Sequence, residues 1–400
     1  MPGRGLAAKL GLVERREFLQ LTLLAAGAVA LGACSDSSSD RAIPTTTGEP
    51  EGEPVRYGPL RPPDANGLAL PDGFSGRVVA RAGERVPGTD YEWHIFPDGG
   101  ATFATDNGGW VYVSNSEVPD GGGVGALRFD RGANIVAAYP ILTGTSTNCA
   151  GGATPWGTWL SCEETDAGRV WECDPSGDEP GVARPALGTF THEAVAVADE
   201  RLYLTEDVED GALYRFTPAS PRDLTDGRLE VAVVDELDAK NGLRWVEVPE
   251  PNPGPDDTPT REQIAGATRF DGGEGICAAG DRVNVTTKGD NRVWRIDLRN
   301  SSLHVAYDAS TVAEPVLTGV DNVTITPNGD LWVVEDGGDM EVVIVGTDGV
   351  AEPFARVTEQ EGSELTGPAF DPAGHRLYFS SQRGGDGGLT YEVTGPFRVA

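Results

Sequence analysis

The sequence is poor in histidine and in positive charge. It contains 4 His among 400 residues, which excludes a zinc site built mainly from imidazole ligands. Asp and Glu number 63 against 31 Lys and Arg, and the formal net charge is −32. Proteins that bind nucleic acid carry clustered basic residues, and this sequence has no such cluster. We therefore expect no nucleic-acid partner, and the acidity indicates either a cation-rich site or only solubility in a salty or exposed setting.

Two common catalytic motifs are also missing. The sequence has no GxSxG element, so it lacks the strand-to-helix turn that exposes a hydrolase serine. A glycine run at 121–123 is not set between a strand and a helix, as a phosphate-binding loop requires. The spacing of the few histidines supplies no base for a serine nucleophile. These absences leave metal-assisted chemistry or simple binding.

Long apolar runs are absent apart from residues 19–33. The pair Arg15-Arg16 precedes this run and Leu-Gly-Ala-Cys closes it at Cys34, which predicts a twin-arginine lipoprotein signal over 1–34. Cleavage without lipid and an uncleaved anchor are the alternatives. Residues 35–64, rich in Ser, Asp, Thr, Gly and Pro, are typical of a flexible tether. We expect an exported monomer on the outer face of the cytoplasmic membrane, held there only by lipid at Cys34.

Glycine and proline are plentiful, with counts of 54 and 29, which favours many short strands joined by turns. One strand-like unit recurs at about 45-residue intervals, with one longer interval. The copies are WVYVSNSE (110–117), TWLSCEE (158–164), RLYLTED (201–207), RVNVTTKGD (282–290), DLWVVEDG (330–337) and RLYFSSQRG (376–384). Similar strands precede and follow most copies, so each unit has about four strands.

Six such units predict an all-β fold, a six-bladed β-propeller over residues 65–400. A β-sandwich array is the alternative, but it has no reason to keep so regular a period. The longer interval is explained as a polar insertion at about 218–262. The last strand, within 388–397, is expected to complete a blade that begins near the N-terminus of the domain, because closure of this kind removes exposed strand edges. Cys149 and Cys173 flank the same predicted blade and are the first pair to test for a disulfide.

In a propeller, the starts of the innermost strands and the ends of the second strands meet at one mouth. The residues at those positions are Asn148, Glu193, Glu274, Asp321, Asn322, Glu117, Cys162, Glu163, Glu164, Asp207, Lys288, Glu335 and Arg383. Crowded carboxylates repel one another, and bound cations relieve that repulsion. Acidic turn residues facing water are the alternative. A thiol beside carboxylates suits iron, and oxygen ligands alone suit calcium.

Four motifs are similar to those of one known family: NCAGGATPWGTWLSCEET, THEAVAVAD, TTKGDNRVWRIDL and DNVTITPNGDLWVVEDG. Together they resemble the PhoX-type alkaline phosphatases, over about residues 90–397. The resemblance implies a mixed iron and calcium centre that hydrolyses small phosphate monoesters. It also implies that Cys162 binds iron, that Glu164, Glu193 and Glu274 bind metal, and that Asn148 lies near the phosphate.

A phosphatase also needs a cation for the charge that grows on the phosphoryl oxygens. Arg383 and Lys288 are the candidates at the predicted mouth. Two other functions stay open. One is a calcium-dependent hydrolase of the lactonase kind that uses the carboxylates without Cys162. The other is a lipoprotein whose propeller binds a ligand and catalyses nothing.

Overall fold

The strands are short, and most are apolar on both faces. In the segment Arg201–Glu206, five successive residues are buried although alternate side chains point in opposite directions. A sheet buried on both faces must have a neighbour on each side. The fold is therefore a stack of small sheets, and we describe it from a computed structural model of residues 57–384 and 387–398.

The described residues form six antiparallel sheets, which we call blades 1 to 6 in chain order. Two strands precede blade 1: β1 (Leu68–Ala69) and β2 (Ser75–Arg81). Blade 1 has β3 (Pro97–Ala104), β4 (Trp110–Ser116), β5 (Gly122–Phe129) and β6 (Ile135–Thr145). Blade 2 has β7 (Asn148–Ala153), β8 (Trp159–Glu163), β9 (Val170–Cys173) and β10 (Val182–Ala183). Blade 3 has β11 (His192–Ala198), β12 (Arg201–Glu206), β13 (Leu213–Pro218), β14 (Gly227–Val234) and β15 (Leu243–Glu247).

The remaining blades follow the same plan. Blade 4 has β16 (Gly273–Ala279), β17 (Arg282–Thr287), β18 (Arg292–Asp297) and β19 (Ser302–Asp308). Blade 5 has β20 (Val320–Ile325), β21 (Leu331–Glu335), β22 (Glu341–Val345) and β23 (Ala351–Val357), and blade 6 has β24 (Leu365–Phe370), β25 (Arg376–Ser381) and β26 (Leu389–Thr394). Three single-turn 3-10 helices lie in the connections, at Pro185–Leu187, Thr260–Glu262 and Ala309–Thr311. Within the described ranges no helix is long and apolar enough to span a membrane.

The blades close into a ring. Each inner strand contacts the inner strand of the next blade, and β24 of blade 6 contacts β3 of blade 1. The N-terminal strand β2 pairs with the C-terminal strand β26 and completes blade 6, while β1 adds an outer strand to blade 5. This is the six-bladed propeller that the repeat predicts, closed by strands from both ends of the domain.

Aromatic packing holds the closure. The rings of Tyr57 and Phe397, near the two ends of the described chain, are 6.4 Å apart, and Tyr57 lies 5.4 Å from Phe354 of blade 5. On the other side of blade 6, the Trp110 indole of blade 1 donates a 3.2 Å hydrogen bond to the Tyr378 hydroxyl. Buried aromatic side chains contribute both area and specific geometry. The closing blade is therefore tied to each of its neighbours.

The segment 218–262 differs from the expected insertion. It contains β14, which is the regular outer strand of blade 3, and β15, which pairs with β14 as a fifth strand. The polar stretch that follows includes the turn Thr260–Glu262, where Arg261 forms a 3.1 Å ion pair with the buried Glu206. The extra sequence thus adds a fifth strand to blade 3, and its later part contacts the end of the second strand of that blade through Arg261 and Glu206.

Cys149 and Cys173 are both free thiols in the structure, as are Cys162 and Cys277. Cys149 is on inner strand β7 and Cys173 is on the third strand β9, with β8 between them. Strands lie about 4.8 Å apart, so two strands that flank a third are about 10 Å apart. A disulfide needs Cα atoms closer than about 7 Å. The suggested disulfide is therefore wrong for this blade.

Candidate metal centre

A β-bulge interrupts the pairing near the start of all six inner strands. The register shifts fall between Pro97 and Gly100, Asn148 and Gly151, His192 and Val195, Gly273 and Ile276, Val320 and Val323, and Thr366 and Ala369. A bulge inserts a residue and redirects a side chain. The first residue inside the bulge, in blades 1 to 6, is Asp98, Cys149, Glu193, Glu274, Asp321 and Gly367. Five of the six blades thus turn a possible metal ligand toward the mouth.

Polar side chains of the second strands hold these bulges in place. The Asn115 amide donates to the Cys149 carbonyl oxygen at 3.1 Å, across the blade boundary. Likewise Thr205 donates to the Glu274 carbonyl at 2.6 Å, and Thr286 to the Asp321 carbonyl at 2.6 Å. Each bond satisfies a carbonyl that the bulge removes from the strand ladder.

Blade 6 departs from this pattern for a steric reason. Gly367 has φ 59°, and a Cβ there would lie 2.8 Å from the Asp98 carbonyl oxygen. A ligand side chain does not fit at that position. The carboxylate from this blade comes instead from Glu364, just before β24.

Eight side chains converge at the mouth, and together they represent all six blades. Seven are carboxylates and one is a thiol: Asp98, Glu117, Cys149, Glu164, Glu193, Glu274, Asp321 and Glu364. We call this set the mouth ring. Most of its members are almost fully buried, including Glu193 at 0% and Asp98 at 2% exposed. Burial of so many acids in one place requires compensation.

The mouth ring divides into three clusters, and within each the candidate ligand atoms lie within 4.8 Å of one another. The thiol cluster is Cys149, Glu164 and Glu193; the Asp98 cluster is Asp98, Glu117 and Glu364; the Glu274 cluster is Glu193, Glu274 and Asp321. Glu193 belongs to two of them. The Cys149 sulfur lies 3.7 Å from Asp98 Oδ2, so the Asp98 cluster adjoins the thiol cluster.

The electrostatics of the mouth ring call for cations. Two unit charges 4.8 Å apart repel by about 3.5 kcal/mol at an effective dielectric constant near 20. Burial, followed by the neighbouring carboxylates, raises the pKa of Asp98, Glu193 and Glu274 well above the usual range. Protons, metal ions or cationic side chains must offset the charge. The environment of Glu193 indicates metal ions, because its buried Oε2 has no hydrogen-bond partner among the described residues.

The protein supplies two cations of its own. The Lys288 ammonium lies 2.5 Å from Glu274 Oε1. Burial lowers the pKa of Lys288, but Glu274 and the other nearby carboxylates together raise it by more, so the net shift of the pKa is upward. The Arg383 guanidinium pairs with Glu117, at 2.5 Å, and with Glu364. It also lies over the Phe96 ring, 5.4 Å from its centroid. These groups offset only part of the charge of seven carboxylates.

Comparison with known protein families gives a match over much of the sequence. The alkaline phosphatase PhoX family matches residues 125–307 and 289–385, which together make up more than half of the chain. The chain belongs to the PhoX alkaline phosphatase family. No curated protein matches the sequence.

Solved propellers are more distant from this PhoX-family chain. Regucalcin, a calcium-binding protein from Agrobacterium tumefaciens, is 16% identical, with 81% of this chain and 96% of that chain covered and a TM-score of 0.44. The PQQ domain of pyranose dehydrogenase from Coprinopsis cinerea is 12% identical, with 83% and 98% covered and a TM-score of 0.48. At these identities we take neither as a guide to activity.

In this PhoX-family structure, four of the predicted metal-site carboxylates lie together with Glu193 in the mouth ring: Glu117, Glu164, Glu274 and Asp321. Asn322 joins them by donating from Nδ2 to Glu193 Oε1 at 3.4 Å and to Asp321 Oδ1 at 2.7 Å. Asp207 lies beside the ring, 3.9 Å from the Lys288 ammonium. Asn322 thus orients two carboxylates, and Asp207 adds negative charge around Lys288.

Two of the predicted metal ligands, Glu163 and Glu335, lie outside the mouth ring. Glu163 accepts backbone N–H bonds from Ser146 at 3.0 Å and Arg169 at 3.2 Å, and Glu335 accepts them from Thr318 at 2.8 Å and Glu341 at 3.1 Å. Each is the last residue of a second strand, and its side chain holds nearby loops. The residue that follows Glu163, Glu164, is the one that turns into the mouth ring.

Asn148 also serves the scaffold. Its Oδ1 accepts a hydrogen bond from Thr145 at 2.6 Å, and its Nδ2 donates to Ser161 at 2.9 Å. These hydrogen bonds link the end of blade 1 at Thr145 to the second strand of blade 2 at Ser161, next to the bulge that presents Cys149. Among the residues that the structure describes, the side chain of Asn148 thus contacts the scaffold and has no hydrogen bond to the mouth ring.

The thiol in the mouth ring is Cys149, whereas the sequence pattern selects Cys162. Cys162 is fully buried among apolar side chains such as Leu160 and Val170, and it belongs to none of the three clusters. Burial, then Glu193 and Glu163, raises its thiol pKa well above the usual range. The geometry favours Cys149 as the soft ligand.

Sequence reasoning missed Asp98, Cys149 and Glu364. A signal for the first two existed: aligning the inner strands by their starts places Asp98 of PDGG and Cys149 of NCAG in register with Glu193 of HEAV. No such signal exists for Glu364, because Gly367 occupies the matching position in blade 6.

Proposed function

We propose that this protein is a metal-dependent phosphatase that hydrolyses small phosphate monoesters at the propeller mouth. Its membership of the PhoX family supports the reaction class. The observation that carries the proposal is the mouth ring itself, in which all six blades deliver a ligand-type side chain to one place, buried in five blades and partly buried in blade 2. Such convergence has no structural purpose that apolar side chains would not serve better.

The donor sets suggest which ions the clusters hold. The thiol cluster combines one sulfur with two carboxylates, and this mixture suits iron. The Asp98 and Glu274 clusters offer only carboxylate oxygens, which suit calcium. Cations bound there supply Lewis-acid polarisation of the phosphoryl oxygens.

The remaining roles belong to the protein's own groups. Without cations the mouth ring would repel a phosphate monoester, so its carboxylates bind the ester only through the ions they hold. Arg383 pairs with Glu117 of blade 1 and Glu364 of blade 6, so its positive charge stands at the mouth ring. We assign this guanidinium as the cation that orients the substrate's phosphoryl oxygens.

The proposed export signal and lipid anchor lie outside the described residues. We propose that the twin-arginine pair Arg15-Arg16 directs export and that Cys34 carries the lipid. A phosphatase placed there would act on small esters outside the cytoplasmic membrane.

The test is hydrolysis of p-nitrophenyl phosphate by purified protein before and after removal of metals with a chelator. Activity should disappear on chelation and return with iron and calcium. Glu193→Gln should lose metal and activity together, since Glu193 serves two clusters. Glu335→Gln, another buried glutamate outside the clusters, is the matched control and should keep its metal.

Four results would contradict the proposal. Metal-loaded protein could fail to hydrolyse phosphate esters, or Glu193→Gln could remain active. Bound calcium without iron, together with lactone hydrolysis, would instead support a lactonase-like enzyme. Protein free of metal after growth with iron and calcium would support a binding propeller.

A further inference from the structure

Lys288 breaks the charge pattern of the positions that follow the second strands. These positions are Glu117, Glu164, Asp207, Lys288, Asp336 and Gln382 in blades 1 to 6. Four are carboxylates, and blade 4 alone presents a cation. All six stand at the mouth end of their blades, where the connection to the third strand begins.

The Lys288 ammonium is surrounded by carboxylates from three blades. Its Nζ lies 2.5 Å from Glu274 Oε1 in blade 4, 3.3 Å from Asp336 Oδ2 in blade 5 and 3.9 Å from Asp207 Oδ2 in blade 3. An ammonium has three N–H donors, and three carboxylate oxygens are available to it here. The side chain is 26% exposed and Glu274 is 2% exposed, so solvent screens this contact weakly.

This environment argues against a direct role in substrate binding. A phosphate approaching Lys288 would meet Glu274, Asp336 and Asp207 at the same time. The attraction of one ammonium is smaller than the repulsion of three carboxylates at similar distances. Lys288 is therefore suited to hold carboxylates, not a free phosphate.

We propose that Lys288 is a built-in cation that takes the place of a further divalent ion beside the Glu274 cluster. With a carboxylate at this position, as in four other blades, four acids would meet there with no charge to offset them. Oxygen ligands in that number bind calcium. The lysine thus limits how many divalent ions the mouth holds. The inference rests on the metal centre of the proposed function and concerns its stoichiometry.

The experiment counts calcium bound per chain in purified full-length protein. Wild type, Lys288→Asp, Lys288→Gln and Lys240→Asp are stripped with a chelator, dialysed against saturating calcium and measured by elemental analysis and titration calorimetry. Lys240 is an exposed lysine on the loop after β14, so its substitution matches the charge change without touching the mouth. A normal circular dichroism spectrum is required of each variant.

Lys288→Asp should bind one calcium ion more than wild type, and Lys240→Asp should match wild type. Lys288→Gln removes the charge and leaves a slightly shorter polar side chain, and it should bind calcium at least about tenfold more tightly, because a unit charge is lost at about 4 Å. Equal number and affinity in all four proteins would overturn the inference and leave the metal centre intact. Wild type that binds no divalent ion would overturn the metal centre itself.

A second measurement needs no folded variant. Lys288 and Lys240 in wild-type protein are labelled with an amine-reactive reagent, with and without inorganic phosphate, and quantified by mass spectrometry. Labelling of Lys288 should be unchanged by phosphate. Protection of Lys288 by phosphate would place the ammonium in the substrate site and refute the inference.

Discussion

The two thiols of blade 2 can be separated by matched substitutions, Cys149→Ser and Cys162→Ser. The Cys149 sulfur lies within 4.8 Å of ligand oxygens of Glu164 and Glu193, whereas Cys162 is fully buried in an apolar cluster. If Cys149 binds iron, the thiolate should give the protein a charge-transfer colour. Cys149→Ser should bleach that colour and release iron, because a hydroxyl is a poor substitute for a soft thiolate. The calcium of the two oxygen-only clusters should largely remain.

Cys162→Ser should instead lower stability and leave the metal in place. Burying a hydroxyl in apolar surroundings costs about 1–3 kcal/mol. The unfolding entropy of about 340 residues is about 0.7 kcal/mol per degree. The melting temperature should therefore fall by about 1.5–4 °C. Cys149 is only partly buried, so Cys149→Ser measured without metal should shift it less.

The assay combines the visible absorption spectrum, iron and calcium content by elemental analysis, and thermal unfolding in the presence of a chelator. Colour that survives in Cys149→Ser but is lost in Cys162→Ser would refute this geometry and restore Cys162 as the ligand. Colour retained in both variants would show that neither thiol binds iron.

Three further changes test the scaffold and the location. Glu392→Ala should cost about 2–3 kcal/mol, measured by urea unfolding, because it removes the buried carboxylate that pairs with Arg77 and Arg376 at the closing blade; an unchanged midpoint would contradict this. Burial raises the pKa of Glu335 to about 7, so the native state holds a proton that the unfolded carboxyl has already released. The unfolding free energy of wild type should fall as pH rises from about 4.5 to 7, and Glu335→Gln should flatten that slope; identical slopes would rule out the shift. Replacing Arg15-Arg16 with Lys-Lys should retain the protein in the cytoplasm, and Cys34→Ala should release it from membranes; unchanged fractionation of both would contradict the proposed export and anchor.

The architecture was largely predictable from the sequence. The apolar residues of a segment such as Arg201–Glu206 predict a strand. The recurrence of similar segments at intervals of about 45 residues predicts the number of blades. The closing strand was predictable as well, since a propeller has no stable open end. The extent of blade 3 was not, because the polar residues of 218–262 hide two strands.

The sequence also determined that acids and a thiol gather at one mouth, because the ends of homologous strands must meet there. Only the tertiary structure decided which of two adjacent side chains faces it. Strand alternation has a period of two, so one bulge reverses every later assignment, and six bulges do so here. They bring Cys149 into the mouth ring while Asn148 hydrogen-bonds to Thr145 and Ser161, and at the strand ends Glu164 enters the ring while Glu163 holds a loop. Glu364 reaches Glu117 only because the ring closes, and such a contact between distant blades leaves no local trace in the chain.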